Sequence, residues 1–471
     1  MADDQAPDPI KHVVVLILEN HSFDQMLGGL KAVNPQINGI GPQNPGVNAD
    51  GQGQNFKQAP TQTRQIFDDP HHEVEHVWTQ LSDNNGGFVR DFAQAYPKSS
   101  AAERAYIMGY YKAGDLPALH ALAQEFTLCD RWHASLPGPT WPNRFFALAG
   151  TSCGKVDMPD DGEHKADIQG YFEQDQETIF DRLNEKGVGW KCYFSGIPQS
   201  IVMLHQRRPE NFARYFDMAQ FYADAQGAEQ DFPAFSLIEP DFLGDGENDD
   251  HPPHDVMKAQ KLTADVYNAL RGNESLWNST LFVLFYDEHG GFHDHVAPPP
   301  ALPPDQFAGY PFTRYGVRVP AALISPWVEK KVCSTLFDHT SVLNYLIKKW
   351  GLGSLGKRAA VANCIGALIT GTKRSGTLAS ISIPQNILSS LAANSAAAAS
   401  VVSGHHKALV LLMESLKEES LDQGGNFLTR AWRRLYKPSA GLLSAGKKIE
   451  LADVVKARAD FAEYFKNRKV A

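Results

Sequence analysis

The sequence predicts an α/β fold: a mostly parallel central sheet flanked by helices, followed by a helical C-terminal appendage. Three observations carry this. The short, continuous apolar runs "HVVVLIL", "FSLI", "LFVLFY" and "VPAALIS" read as strands buried on both faces. Helical stretches over residues 101–125, 174–187, 255–271 and 340–350 alternate with them. Three of the four runs end directly in acidic or amide groups, at Glu19-Asn20, at Glu239-Pro240-Asp241 and at Asp287-Glu288. Ligands of α/β sheets collect outside the carboxyl ends of the strands, so these groups mark an edge with chemistry.

Composition narrows the class. With 471 residues, 43% hydrophobic and 21% charged, the chain builds a large core without staples. A net charge of −10 argues against nucleic acid as the main partner and gives no pull toward anionic membranes. Zwitterionic and small-molecule substrates remain, with transient contact at a membrane surface. The five cysteines are scattered, odd in number and without a CxxC pair, so they read as buried free thiols. The run "VVVLIL" is too short for a signal-peptide core and no stretch reaches the length of a membrane span. The localisation read from this is cytoplasmic, or export by a leaderless route. Composition shifts near residue 375, where "SGTLASISIPQNILSSLAANSAAAASVVSGHH" begins. The predicted division is therefore a catalytic domain over 1–374 and an Ala-rich linker with a helical region over 375–471, the latter without recognisable chemistry.

Four stretches carry the candidate chemistry. In "LILENHSFDQMLG", Glu19 and Asn20 offer hard oxygen ligands suited to Mg²⁺, Ca²⁺ or Mn²⁺, and acceptable to Zn²⁺. The local alternative is a helix cap at Asn20 or Ser22. In "SLPGPTWPNRFFALAGTS", prolines stiffen a turn that holds Thr140 just before a helix, where an anion is favoured; a plain cap is the competing use. Arg144 clamps a phosphate or pairs in the core. In "NDDHPPHDV", His251 can protonate a leaving group, Asp255 caps the next helix and His254 reads as surface. In "DPHHEVEHVW", His72 and His76 stand four apart on one helix face, a spacing that resembles a zinc pair; polar loop or satisfied histidines are the favoured use over a metalloprotease site, with one of them reaching a site. The run "DEHGGFHDHVAPPP" places Asp287 and Glu288 at a strand end, with Gly290 and Gly291 available for positive φ.

Taken together, "ENHSFDQMLG", "LPGPTWPNR", "AGTS", "NDDHPP", "YDEHGGFHDHVAPP", "GVRVPAALISPW" and "DHTSVLNYL" follow the order of the bacterial phospholipase C and acid phosphatase phosphoesterases, over about residues 10 to 350. The chain resembles that family, itself similar to the alkaline-phosphatase-like hydrolases. The resemblance implies an alkaline-phosphatase-like fold and one divalent metal ion (Ca, Zn, Mg or Mn). Its ligands would be Glu19, Asn20, Thr140, Asp287 and Glu288. Thr140 would be the nucleophile, with His251 and His76 around the phosphoryl group. Asp294, His295, Asp338 and His339 fall in motif positions with a structural role. The implied substrate is a phospholipid or phosphocholine ester, cleaved through a phospho-threonine; a broad acid phosphatase is the alternative. Trp132, Trp141 and Trp190 would form a choline cage or pack in the core. A sulfatase would need a CxPxR-type context, which is absent, and a non-catalytic metal binder would have broken ligands, which are intact.

Overall fold

The computed structural model describes residues 8–398, apart from residues 42, 44, 161, 164, 244–245 and 306–308, together with residues 402–422 and 448–468. Eight strands form the central sheet: β1 (His12–Leu18), β2 (Thr127–Cys129), β3 (Trp190–Phe194), β4 (Tyr215–Asp217), β5 (Phe235–Glu239), β6 (Thr280–Tyr286), β7 (Ala321–Ile324) and β8 (Lys331–Cys333). Their order is β8-β2-β7-β6-β1-β5-β3-β4. Every residue of β1 and of β6 is buried, as continuous apolar runs require.

The sheet is mostly parallel. β1 pairs with β6 in the register Leu16↔Leu284 and with β5 in the register Val13↔Phe235. One expectation changes. "VPAALIS" runs antiparallel to both neighbours, β6 and β2. A parallel return needs a crossover, usually helical. Among the described residues, 287–320 contain no helix, so the chain returns as a hairpin-like partner.

The helices that position the site are α1 (Phe23–Met26), α2 (Val74–Asn85), α3 (Thr140–Ala149), α4 (Lys165–Phe172), α5 (Val256–Gly272) and α6 (Thr340–Trp350). The predicted helix over 101–125 is instead two, Ala101–Tyr106 and Pro117–Glu125. Gly114, at φ 93°, turns the chain between them, and Pro117 restarts the helix at its first turn.

The C-terminal region folds as α7 (Gln385–Ala398), α8 (Gly404–Asp422) and α9 (Leu451–Arg468). α8 packs against α4 and α9. Ala408, Leu409, Leu412 and Met413 are buried in the same hydrophobic core as the sheet. The region is therefore docked on the catalytic body.

Candidate active site

Glu19 and Asn20 leave the carboxyl end of β1, and Asp287 and Glu288 leave the adjacent β6. Backbone bonds lock the two exits together, Asp287 N–H to Leu18 O at 3.0 Å and His21 N–H to Glu288 O at 3.1 Å. Asn20 adopts φ 60° and Gly290 φ 59°. A side chain at Gly290 would meet the Asn20 carbonyl at 2.1 Å, so glycine is required where the two loops cross. Ser22 caps α1, accepting from Gln25 N–H at 3.2 Å. That leaves the Asn20 side chain for other use.

Thr140 opens α3 directly after Pro139. Asn143 holds the preceding turn: its amide donates to Gly138 O at 2.8 Å and to Pro139 O at 3.1 Å, and it accepts from Leu136 N–H at 3.1 Å. Arg144 lies four residues on, on the same helix face as Thr140. Its guanidinium reaches Asp287 Oδ2 at 2.9 Å and Glu19 Oε1 at 3.1 Å.

The electrostatics of the cluster are unbalanced. Glu19, Asp287 and Glu288 are all fully buried. Burial pushes Asp287 well above the usual carboxylate range, and the Glu19 and Glu288 charges add to this against the pull of Arg144. Burial likewise raises Glu288 to about 7, against the pull of His72. Burial works against the ionised form of Glu19 too, but His405 and Arg144 overcome it and hold this carboxyl far below its usual range.

At these two strand exits three buried side-chain oxygens accept no hydrogen bond: Glu19 Oε2, Asn20 Oδ1 and Glu288 Oε1. Buried acceptors are normally paired, and an unpaired charged one is costly. Three hard oxygens left open beside excess negative charge fit a divalent cation. Asp287 is placed differently, since Oδ2 takes the Arg144 N–H and Oδ1 the Glu288 N–H at 2.7 Å.

Two histidines border this cluster. His72 lies against the Asn20 amide at 3.3–3.4 Å and its Nε2 is 3.9 Å from Glu288 Oε1. His251 is buried, its ring 5.8 Å from that of His72. Each donates from Nδ1 to a backbone carbonyl, His72 to Pro70 O at 2.9 Å and His251 to Pro252 O at 2.6 Å. For His251 this leaves the Nε2 lone pair free, whereas His72 Nε2 lies 3.3 Å from the Asn20 amide nitrogen.

Residues 10–353, which supply all of these side chains except His405, match the Phosphoesterase family. The chain belongs to that family. It is 32% identical to non-specific phospholipase C5 of Arabidopsis thaliana over 92% of this chain and 90% of that protein. It is 28% identical to phospholipase C A of Mycobacterium tuberculosis over 73% of each. A solved protein of the alkaline phosphatase superfamily from Vibrio parahaemolyticus is 14% identical, covering 52% of this chain and 63% of that one at a TM-score of 0.30.

This phosphoesterase is thus a phosphoric ester hydrolase. Its structure brings Glu19, Asn20, Asp287, Glu288 and His251 together, and α3, which Thr140 opens, reaches them through Arg144. It does not bring His76 there. His76 bonds Asp91 at 2.8 Å and stacks on His71, while His72 holds the position against Asn20. His254, read as surface, is buried instead: its ring bonds Asp249 at 2.5 Å and lies 2.8 Å from Glu247. Trp132, Trp141 and Trp190 are all core residues, so they form no exposed cage. Asp255 caps α5, and His339 braces the Asp287 carbonyl at 2.6 Å.

Two side chains had no distinct signal in the sequence. Gln199 donates to Glu19 Oε1 at 2.6 Å from a loop without a motif. His405, from α8, reaches Glu19 Oε2 at 3.2 Å. The pair "SGHH" at a helix start was its only sign.

Proposed function

We propose that this phosphoesterase is a metal-dependent, phospholipase C-like hydrolase that cleaves phospholipid or phosphocholine esters through a phospho-threonine on Thr140. The observation that carries the metal is the set of open, buried oxygens on Glu19, Asn20 and Glu288. These residues would hold the ion, with Asp287 and Thr140 completing the set. A bound divalent cation supplies charge for a phosphoryl oxygen and lowers the pKa of a neighbouring hydroxyl. The relatives named phospholipase C support the substrate class.

The residues of the chain then divide the work. Thr140 Oγ1 attacks phosphorus, its approach set by the rigid turn and by the start of α3. Arg144 keeps Glu19 and Asp287 in place. The Nε2 of His251 takes the Thr140 hydroxyl proton and, as the bond to the leaving alcohol breaks, delivers it to that oxygen. In the second step the same Nε2 takes a proton from the water that attacks phosphorus and returns it to Thr140 Oγ1 as the threonine is released. We assign the second histidine of the site to His72 rather than His76, because His72 contacts Asn20.

The test is hydrolysis of para-nitrophenyl phosphate, para-nitrophenyl phosphorylcholine and phosphatidylcholine vesicles, with and without chelator. Cleavage of the choline ester and the lipid, abolished by chelation, is expected. Activity on the monoester alone would replace this reading with an acid phosphatase.

A further inference from the structure

The start of α8 enters the site from the C-terminal region. Ser403 accepts the His406 N–H at 3.2 Å and orients the histidine pair that follows. His405 is buried, 6.2 Å from the Trp141 ring and 5.4 Å from the Phe242 ring. Its Nδ1 is 3.2 Å from Glu19 Oε2, and its ring centre is 5.8 Å from that of His251. One ligand atom each from Glu19, His251 and His405 lies within 4.8 Å of the others.

From this geometry we propose that Glu19, His251 and His405 bind a second cation, of zinc type, and that the C-terminal region is thereby part of the catalytic centre. The proposal rests on the reading of Glu19 as a residue of the reactive site. Three features support it. Glu19 Oε2 is buried with no hydrogen-bond partner, and His405 Nδ1 faces it at 3.2 Å. The Nδ1–H of His251 is committed to the Pro252 carbonyl, which leaves Nε2 its lone pair, as in metal-bound histidines. Two nitrogens and one oxygen suit zinc or cobalt better than magnesium or calcium. Tetrahedral zinc ligands stand about 3.3 Å apart, close to the 3.2 Å between His405 and Glu19. Three protein ligands leave a fourth position open, as catalytic zinc sites do; with the cation on His251 Nε2, a water in that position would carry the proton transfers otherwise assigned to this nitrogen. A pair of cations clamps the attacking and leaving oxygens of a phosphoryl transfer.

The neighbouring cluster, Glu247, His254 and His406, shows the contrast. The Ser403 N–H donates to His406 Nδ1 at 3.2 Å, so its proton sits on Nε2. That Nε2, 3.4 Å from Glu247 Oε1, carries the proton and has no lone pair to offer. We read this cluster as a buried charge network.

The experiment uses the full chain, stripped with chelator and dialysed against Co²⁺, with metal counted by mass spectrometry and coordination read from visible absorption. Wild type is expected to hold two equivalents. His405→Ala and His405→Gln should hold one, and Glu288→Gln should keep the His405-dependent one. His405→Cys should hold two and add a thiolate-to-cobalt charge-transfer band, which shows that α8 is docked in that variant. His406→Ala should hold two. If wild type holds one, lost in Glu288→Gln and kept in His405→Ala, the proposal falls while the proposed function stands. If wild type holds none, both fall. If it holds one, lost only with His405, this site stands and the ligand assignment of the first does not.

Discussion

Two buried acidic clusters lie at the same edge of the sheet, and they are built in opposite ways. Asp24 and Asp294 surround Arg318. The guanidinium donates to Asp294 Oδ1 at 2.9 Å and to Asp24 Oδ1 at 3.0 Å, and sits 4.5 Å over the Phe23 ring. Asp24 Oδ2 takes the His295 N–H at 2.8 Å, and Asp294 Oδ2 takes the Asp24 N–H at 3.1 Å. All four carboxylate oxygens are paired. Around Glu19 and Glu288 the protein supplies one arginine for three acids and leaves three oxygens open. A buried acid cluster with every acceptor filled is a structural joint. One with acceptors left open is a place for a cation.

This contrast yields graded predictions. The largest effect is expected for Thr140→Ala, which removes the nucleophile: turnover should fall about 10⁴-fold, or roughly 5 kcal/mol in barrier. Urea unfolding of the same variant should shift by under about 1 kcal/mol. Turnover near wild type in a folded variant removes Thr140 from the mechanism. Arg318→Met tests the joint. It strands two buried acids and should cost about 3–5 kcal/mol in urea unfolding. A loss below about 1 kcal/mol would show that the joint is not what it looks like.

Metal removal separates the clusters next. A cation bound only by the fold stabilises it by about 2.7 kcal/mol at a hundredfold excess over its dissociation constant. Chelation should therefore lower the melting temperature of wild type more than that of Glu288→Gln, which keeps only the His405-dependent ion. An equal drop in both would locate the stabilising ion elsewhere.

Acid titration probes the joint again. Burial opposes the charge on Asp24, but the His295 hydrogen bond and the Arg318 charge bring it from 3.8 to about 2. The folded pKa is depressed, so this stability is present above 3.8 and lost as pH falls through 2. The loss should be roughly 2 kcal/mol, and absent in Asp24→Asn. The smallest effect is expected at the open site. Glu288→Gln in metal-free protein relieves repulsion with Glu19 and Asp287, and should raise stability by about 1 kcal/mol. A lower stability would mean that Glu288 is paired after all.

Much of the fold follows from local pattern. Apolar runs too continuous for one-sided burial became β1, β5 and β6, and their ends delivered the acids. The Ser22 cap and the turn of prolines before Thr140 are likewise short-range chemistry, as is the glycine that passes under Asn20. The direction of β7 was not local, since it depends on how residues 287–320 return to the sheet. The choice of His72 over His76 depended on where α2 begins, since His72 precedes it and His76 lies within it. The two residues share a helical face in sequence terms, yet only one begins before the helix and reaches Asn20.

By itself the sequence determined the strands, the acids at their carboxyl ends and the hydroxyl at a helix start, because periodicity, capping and turn chemistry act over a few residues. Tertiary structure alone decided which acids are neutralised. Arg144 meets Glu19 and Asp287 only because α3 packs across two strand ends. His405 meets Glu19 only because α8 docks its apolar face on the common core. Charge pairing and metal coordination act over a few ångströms of space, and residues nearly four hundred positions apart in the chain come that close only through packing.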